Sequence, residues 1–143
     1  MWYHLSHVNY LAVLAATIAS FMLGAWWYSK PGFGMDWLAA TGKSMNDLGS
    51  PAVAMTLTFF STFFTGMILA ILIHALNYDD YLLFGSRLYY GARLGFVLSV
   101  GLVATSMFSD YLFSGKAFEL FLIQAGYRVV LFTIMAAIIS VWG

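Results

Sequence analysis

Four long apolar runs, at about residues 8–28, 51–76, 88–108 and 119–142, take up most of this chain. At 1.5 Å per residue each is ~30 Å long or more as a helix, which is the thickness of a bilayer's hydrocarbon core. The chain of 143 residues is 62% hydrophobic and only 8% charged, against about 25% charged in a soluble domain. A chain this short cannot hide so much apolar surface from water, so its solvent is lipid. The expected fold is all-α: a single four-helix transmembrane domain over residues 1–143, with one short interfacial helix in the first connection.

The connections carry the stop and start signals. Trp2 and Tyr3 at one end of the first run, and Trp26, Trp27 and Tyr28 at the other, form an aromatic belt at the two interfaces. No Lys or Arg precedes this run, so it reads as a retained span rather than a signal peptide. Lys30-Pro31-Gly32 stops it. Residues 35–41 form the interfacial helix: Met35, Trp37 and Leu38 meet lipid, Asp36 suits its first turn and Gly42 ends it. Ser50-Pro51 starts the second span with an N-cap followed by Pro at the first helical position, and Asn77 ends it. Ser86 caps the third span, and Ser114-Gly115 is the turn of a hairpin over residues 109–118. Four spans put both termini and the second connection on one side, here the N side, and the other connections on the far side. Arg87 and Arg93 on the N side against Lys30, Lys43 and Lys116 on the far side do not decide the orientation.

Two stripes of small residues recur every four positions: Ala12, Ala16, Ser20 and Gly24 in the first run, and Gly91, Gly95 and Ser99 in the third. Such stripes let helices approach closely. They are more close-packing surface than one minimal bundle needs and predict a homo-oligomer, a dimer or trimer, the alternative being that they pack together inside one chain. Phe59, Phe60, Phe63 and Phe64 are expected to meet lipid or partner helices.

The polar residues inside the runs are the candidates for function. Arg128 lies nine residues past Glu119, ~13 Å from the far side along a helix. Gln124 shares its face four residues earlier, and Tyr127 adjoins it. Counting to the same depth on the other spans gives Ser20, Thr58, Ser61 and Ser99. An intramembrane Arg is costly and marks a functional position by default. The functional reading is a small anionic or lipid-like ligand held by Arg128, positioned by Gln124 and Tyr127, beside those hydroxyls. The structural reading is an Arg that bonds backbone carbonyls or hydroxyls at a helix contact, or snorkels toward Glu119 and Asp110. Arg93, only five residues into its span, snorkels to the N side. His4, His7 and His74, with Asp79 and Asp80, gather on the N-side rim in numbers that permit a divalent metal, but the spacing is not diagnostic and ordinary interfacial histidines are the better account.

Other chemistries lack residues. With no cysteine there are no disulfides or thiolate metal sites. There is no G-x-S-x-G, phosphate loop, HExxH or paired-acid constellation, so no enzyme and no cofactor are expected. A formal net charge of zero argues against nucleic acid. Two classes of function stay open: a protein that binds or transports a small anionic or amphipathic ligand, and a structural or accessory subunit acting through helix packing.

Asn9-Tyr10-Leu11-Ala12, then Leu23-Gly24-Ala25-Trp26-Trp27-Tyr28-Ser29 with Phe33-Gly34 and Trp37, resembles the opening of a family of small bacterial membrane proteins. That family is known as a domain of unknown function, number 1761 in its series. Residues 120–127, then Met135-Ala136-Ala137-Ile138 and Trp142, resemble its closing helix, in which Asn commonly stands at the position of Gln124. Lys30 here separates Ser29 from Pro31, where the family's pattern has Pro directly. The resemblance implies a four-helix, multi-pass protein of the bacterial inner membrane and supplies no activity.

Overall fold

The computed structural model describes residues 6–76 and 84–142. Trp2, Tyr3, His4, Asn77, Asp79 and Asp80 lie outside the described residues. Helix α1 is Tyr10–Trp27 and α2 is the short Gly34–Thr41. Helix α3 is Pro51–Ala75. The third span is one unbroken rod made of α4, Phe84–Leu98, a π-helical stretch, Ser99–Ala104, and α5, Thr105–Ser114. Helix α6 is Phe118–Trp142. Four of these rods are long and apolar enough to cross a membrane.

The expected starts and stops divide into those that hold and those that move. Gly42 and Gly115 both take left-handed backbone, φ 67° and φ 63°, and end α2 and α5, a conformation that costs glycine nothing. Pro51 opens α3, but the Ser50 side chain makes no capping bond. Two expectations are corrected. Ser86 is not a cap, because the chain is already helical at Phe84. The 109–118 segment is not a loop-like hairpin, because α5 runs on to Ser114 and only the three residues before Phe118 connect it to α6. Ser109 and Asp110 made that stretch look as if it had left the membrane, yet no helix breaker stands before Gly115, and polarity alone does not end a helix. Between α2 and α3, Asp47 accepts hydrogen bonds from the backbone N–H (2.9 Å) and hydroxyl (2.8 Å) of Ser44. Those donors favour the ionised carboxylate and lower its pKa.

Helix α6 is the hub. It packs against α1, α3 and the third span, and α2 lies against it as well. Helices α1 and α3 also pack on each other, whereas the third span makes its main contacts with α6. The core is where α1, α3 and α6 meet: Val13, Ala16, Leu69, Leu131 and Met135 are almost wholly buried there. Both small-residue stripes are consumed inside the chain. Ala12, Ala16 and Ser20 are fully buried, and Gly24 faces the Tyr127 ring of α6. Gly91 and Gly95 lie against the α6 backbone and Ser140. The case for self-association from spare close-packing surface therefore no longer stands.

Asn9 pins the two ends of the chain together. Its Oδ1 accepts from the N–H groups of Leu11 (3.1 Å) and Ala12 (3.2 Å), capping α1. Its Nδ2 donates to the Trp142 carbonyl at 3.0 Å. The start of α1 and the end of α6 are thus on the same side. Asn9→Ala removes both functions, and loss of such a cap costs ~1 kcal/mol, up to about 2. The expected result is a lower unfolding midpoint in mild detergent, with Asn9→Asp, which keeps the cap but not the donor, falling between the two. Equal midpoints for parent and Asn9→Ala would exclude this role.

Candidate functional site around Arg128

Local packing sets the level of Arg128. Trp27 donates its indole N–H to the Ile123 carbonyl at 3.2 Å, and Gly24 abuts the Tyr127 hydroxyl. This antiparallel register puts Arg128 level with the turn of α1 around Leu23, about one turn closer to the far side than Ser20. The end of α1 is therefore set inward of the start of α6. On α3, Gly66 meets Met135; these two helices run parallel, so Arg128 is level with the turn holding Thr58 and Ser61.

The direction of Arg128 follows from the same contacts. At about 100° per residue around α6, Tyr127 and Ile123 face α1, Met135 faces α3, and Phe132 and Ser140 face α4. On an ideal wheel the Arg128 Cβ direction falls between those of Met135 and Phe132, and its guanidinium reaches back toward the Tyr127 ring. Helix α3 and the third span pack on α6 rather than on each other. In the far half of the molecule α3 is uncovered: over residues 51–61 only Phe59 is less than exposed, and its ring meets Phe21 of α1 at 5.4 Å. Thr58, Thr62 and Thr65 lie on the other side of the Gly66 line from Phe59 and Phe63, the side turned away from α1. Thr58 is exposed, Thr65 is half-buried and Thr62 is buried.

Arg128 itself is exposed, and it makes no hydrogen bond or ion pair with any described residue. Its guanidinium stands 5.9 Å from the Tyr127 ring centroid, at the outer limit of a cation–π contact. Helical side chains tilt toward the helix N-terminus, here the far side. Along that direction lies a run of rings. Tyr127 meets Tyr28 edge-on at 5.3 Å, and Tyr28 meets Trp37 of α2 at 5.7 Å. The Trp37 indole N–H is buried without a hydrogen-bond partner among the described residues.

The other candidates are placed as follows. Gln124 is half-buried, and its Oε1 accepts a hydrogen bond from the Tyr111 hydroxyl of α5. Ser20 and Ser99 are fully buried and donate to their own helices, to the carbonyls of Ala16 (2.8 Å) and Phe96 (2.9 Å). Thr58 and Ser61 remain exposed. Ser99 also opens the π-helical stretch, and such wide turns often lie at functional positions. His7 and His74 come together on the N-side rim, and no group of three or more metal-binding side chains forms among the described residues.

Sequence reasoning missed Tyr111, Tyr28 and Trp37 as neighbours of the site. Tyr111 had a usable signal: a hairpin turning at Gly115 brings its two arms together and sets Tyr111 against the first turns of α6. From sequence Tyr28 reads as an interfacial belt residue and Trp37 as lipid-facing, because the chain reversal after α1, with Phe33 and Gly34 donating back to Trp27 (2.7 Å) and Ser29 (3.0 Å), leaves no periodic pattern to read.

Taken together, the fold and this site define a multi-pass helical membrane protein. A family model described as Protein of unknown function (DUF1761) matches residues 11–140, and the chain belongs to that family. Comparison with curated proteins and with solved structures gave no match.

Proposed function

We propose that this protein binds an anionic amphiphile that enters sideways from the bilayer, with Arg128 taking the anionic group. The observation that carries this reading is an exposed guanidinium within a spanning helix that no acceptor among the described residues satisfies. An Arg near mid-span costs ~2.5–3.5 kcal/mol on insertion scales, so an anion on the ligand supplies what the protein does not. The planar guanidinium fork suits a carboxylate or phosphate, bound through two parallel hydrogen bonds. Gln124, steadied by Tyr111, forms the far-side end of the site, and the Thr58 and Ser61 hydroxyls offer further partners from α3. The ligand's chain lies against the uncovered apolar length of α3, including Phe60 and Phe64. The setting is a plasma membrane.

The test is native mass spectrometry of protein extracted in mild detergent, with lipids identified after release. The parent is expected to carry an anionic lipid-like molecule. Arg128→Leu should lose it while the unfolding midpoint stays level or rises. Arg128→Lys keeps the charge without the fork and should retain it at least tenfold more weakly. Retention of the same molecule by Arg128→Leu at parental occupancy would refute the proposal.

The second reading is a structural or accessory subunit, in which a partner helix or a second copy covers the exposed far half of α3. The near-complete exposure of residues 51–61 favours it. On this reading self-association into a dimer or trimer uses α3, and leucine substitutions of Phe60 and Phe64 alter the mass in detergent while Arg128→Leu does not.

A further inference from the structure

Tyr111 is the one buried residue of α5, and its ring is held from two sides. Phe121 of α6 meets it edge-on at 5.5 Å, and the Lys116 ammonium stands 5.3 Å from its centroid. The hydroxyl donates to Gln124 Oε1. A cation against the ring draws electron density from the phenol and makes its O–H a stronger donor. A carboxamide has an acceptor oxygen at one end and a nitrogen with two donors at the other. With Oε1 taken by Tyr111, the free end of Gln124 is Nε2. It donates to no described residue and is not among the buried groups. Gln124 and Arg128 are four apart on α6, so this amide nitrogen lies one turn from Arg128, on the side toward which helical side chains tilt.

We propose that Tyr111 sets the specificity of the Arg128 site: by holding Gln124 Oε1 it turns the amide N–H groups to the bound anion, and the donor-only end so formed selects a phosphate over a carboxylate. The inference rests on the reading of Arg128 as an anion site. A guanidinium fork occupies both oxygens of a carboxylate through two parallel bonds. A phosphate monoester carries three acceptor oxygens, so one remains for Gln124 Nε2. In Tyr111→Phe the amide is free to turn over. Its oxygen then faces the guanidinium, which removes a donor from the anion and gives Arg128 a competing acceptor. Gln124 thus touches the ligand, and Tyr111 acts through Gln124 as a positioning residue.

The experiment uses the full chain, stripped of lipid in mild detergent and titrated with two amphiphiles that each carry one oleoyl chain, lysophosphatidic acid and oleate. Native mass spectrometry gives occupancy, and the ratio of the two affinities is the readout. The parent is expected to prefer lysophosphatidic acid by about tenfold, the worth of one hydrogen bond to a charged group. Tyr111→Phe and Gln124→Leu should bring the ratio close to one. Gln124→Glu keeps an acceptor for Tyr111 but has no N–H, so it should hold α5 to α6 and still lose the preference. A bond that only fastens α5 would weaken both ligands alike in Tyr111→Phe and leave Gln124→Glu with the parental ratio, and either result overturns the proposal. Should Tyr111→Phe fail to fold, the two Gln124 variants decide. Inorganic phosphate at millimolar concentration is expected not to displace lysophosphatidic acid; displacement would assign the same donors to free phosphate and overturn the lipid source. Arg128→Leu separates the two levels. If it binds both amphiphiles as the parent does, the Arg128 reading fails and takes this inference with it. If both are lost in Arg128→Leu but the parent shows no preference between them, the Arg128 reading stands and the assignment of Tyr111 alone is wrong.

Discussion

Gly95→Ala is expected to be strongly destabilising, as damaging as any methyl added where two spans of this protein meet. A Cβ on Gly95 would overlap the Phe132 carbonyl oxygen and stand 2.8 Å from its carbon and 2.9 Å from the Ala136 Cβ. These are backbone and short side-chain atoms of α6, and none can swing aside. Adding an Ala to a helix ordinarily gains about 1 kcal/mol over Gly. Overpacking typically costs ~1–3 kcal/mol, and a clash with backbone belongs at or above the top of that range. Gly91→Ala should behave alike, since its Cβ would meet the Ala136 carbonyl and stand 2.7 Å from the Ser140 Cβ. Close approach here also allows Cα–H···O contacts, which a larger residue forfeits. The control is Gly66→Ala, whose new methyl would meet side-chain atoms and no backbone, the Met135 Cε at 2.9 Å, the Val13 Cγ1 at 3.0 Å and the Thr17 Oγ1 at 3.9 Å, of which the flexible Met135 end can give. Reversible unfolding in mixed micelles should rank the three, with Gly66→Ala the mildest. If Gly95→Ala unfolds with the parent, the α4–α6 approach described above is wrong.

The second large effect is expected at Met135. It is fully buried where α1, α3 and α6 meet, beside the almost fully buried Leu131 and Leu69. Met135→Ala leaves a hole bounded by three helices, each held by its other contacts, so the walls relax only in part. Leu or Met to Ala in such places costs ~2–5 kcal/mol, growing with the residual cavity. In a bilayer this loss is one of packing rather than of escape from water, because lipid solvates the truncated helix as well as the whole one. Met135→Leu conserves volume and should cost less than about 1.5 kcal/mol. A loss under ~1 kcal/mol for Met135→Ala would mean that the three helices collapse onto the gap and that the core is looser than its burial implies.

Span number and order were legible because lipid imposes a simple demand. Every backbone polar group must be satisfied within its own helix, so twenty apolar residues announce a span. Gly42 and Gly115 were legible for a local reason, since both take backbone that other residues avoid. The length of the third span was less so. Ser109 and Asp110 suggested an exit from the membrane, but helix ends are set by breakers and caps, and the first breaker is Gly115. The π-helical stretch at Ser99–Ala104 carried no signal in spacing, because one wide turn changes no residue type. The candidate site was half legible. Arg128 and Gln124 stand out by their cost in an apolar run. Which helices flank them depends on crossing angles and on α3 leaning free of the third span, and neither is encoded in any one stretch. The small-residue stripes show the same limit: their spacing announced close packing, but whether the partner was α6 or another chain is a property of the assembled fold.

The hub position of α6 has a consequence for how the chain is made. Synthesis proceeds from the N-terminus, and segments that can pair do so as they emerge. Helices α1 and α3 have each other and can settle early. The third span has its main partner in α6, which leaves the ribosome after it. Until residue 118 and its successors are inserted, Gly91 and Gly95 face lipid with nothing to close on, and Arg87 has no Ser140 hydroxyl on its carbonyl. A nascent chain stopped before α6 is therefore a docked pair plus a solitary rod, the state in which a quality-control protease would find it easiest to take hold.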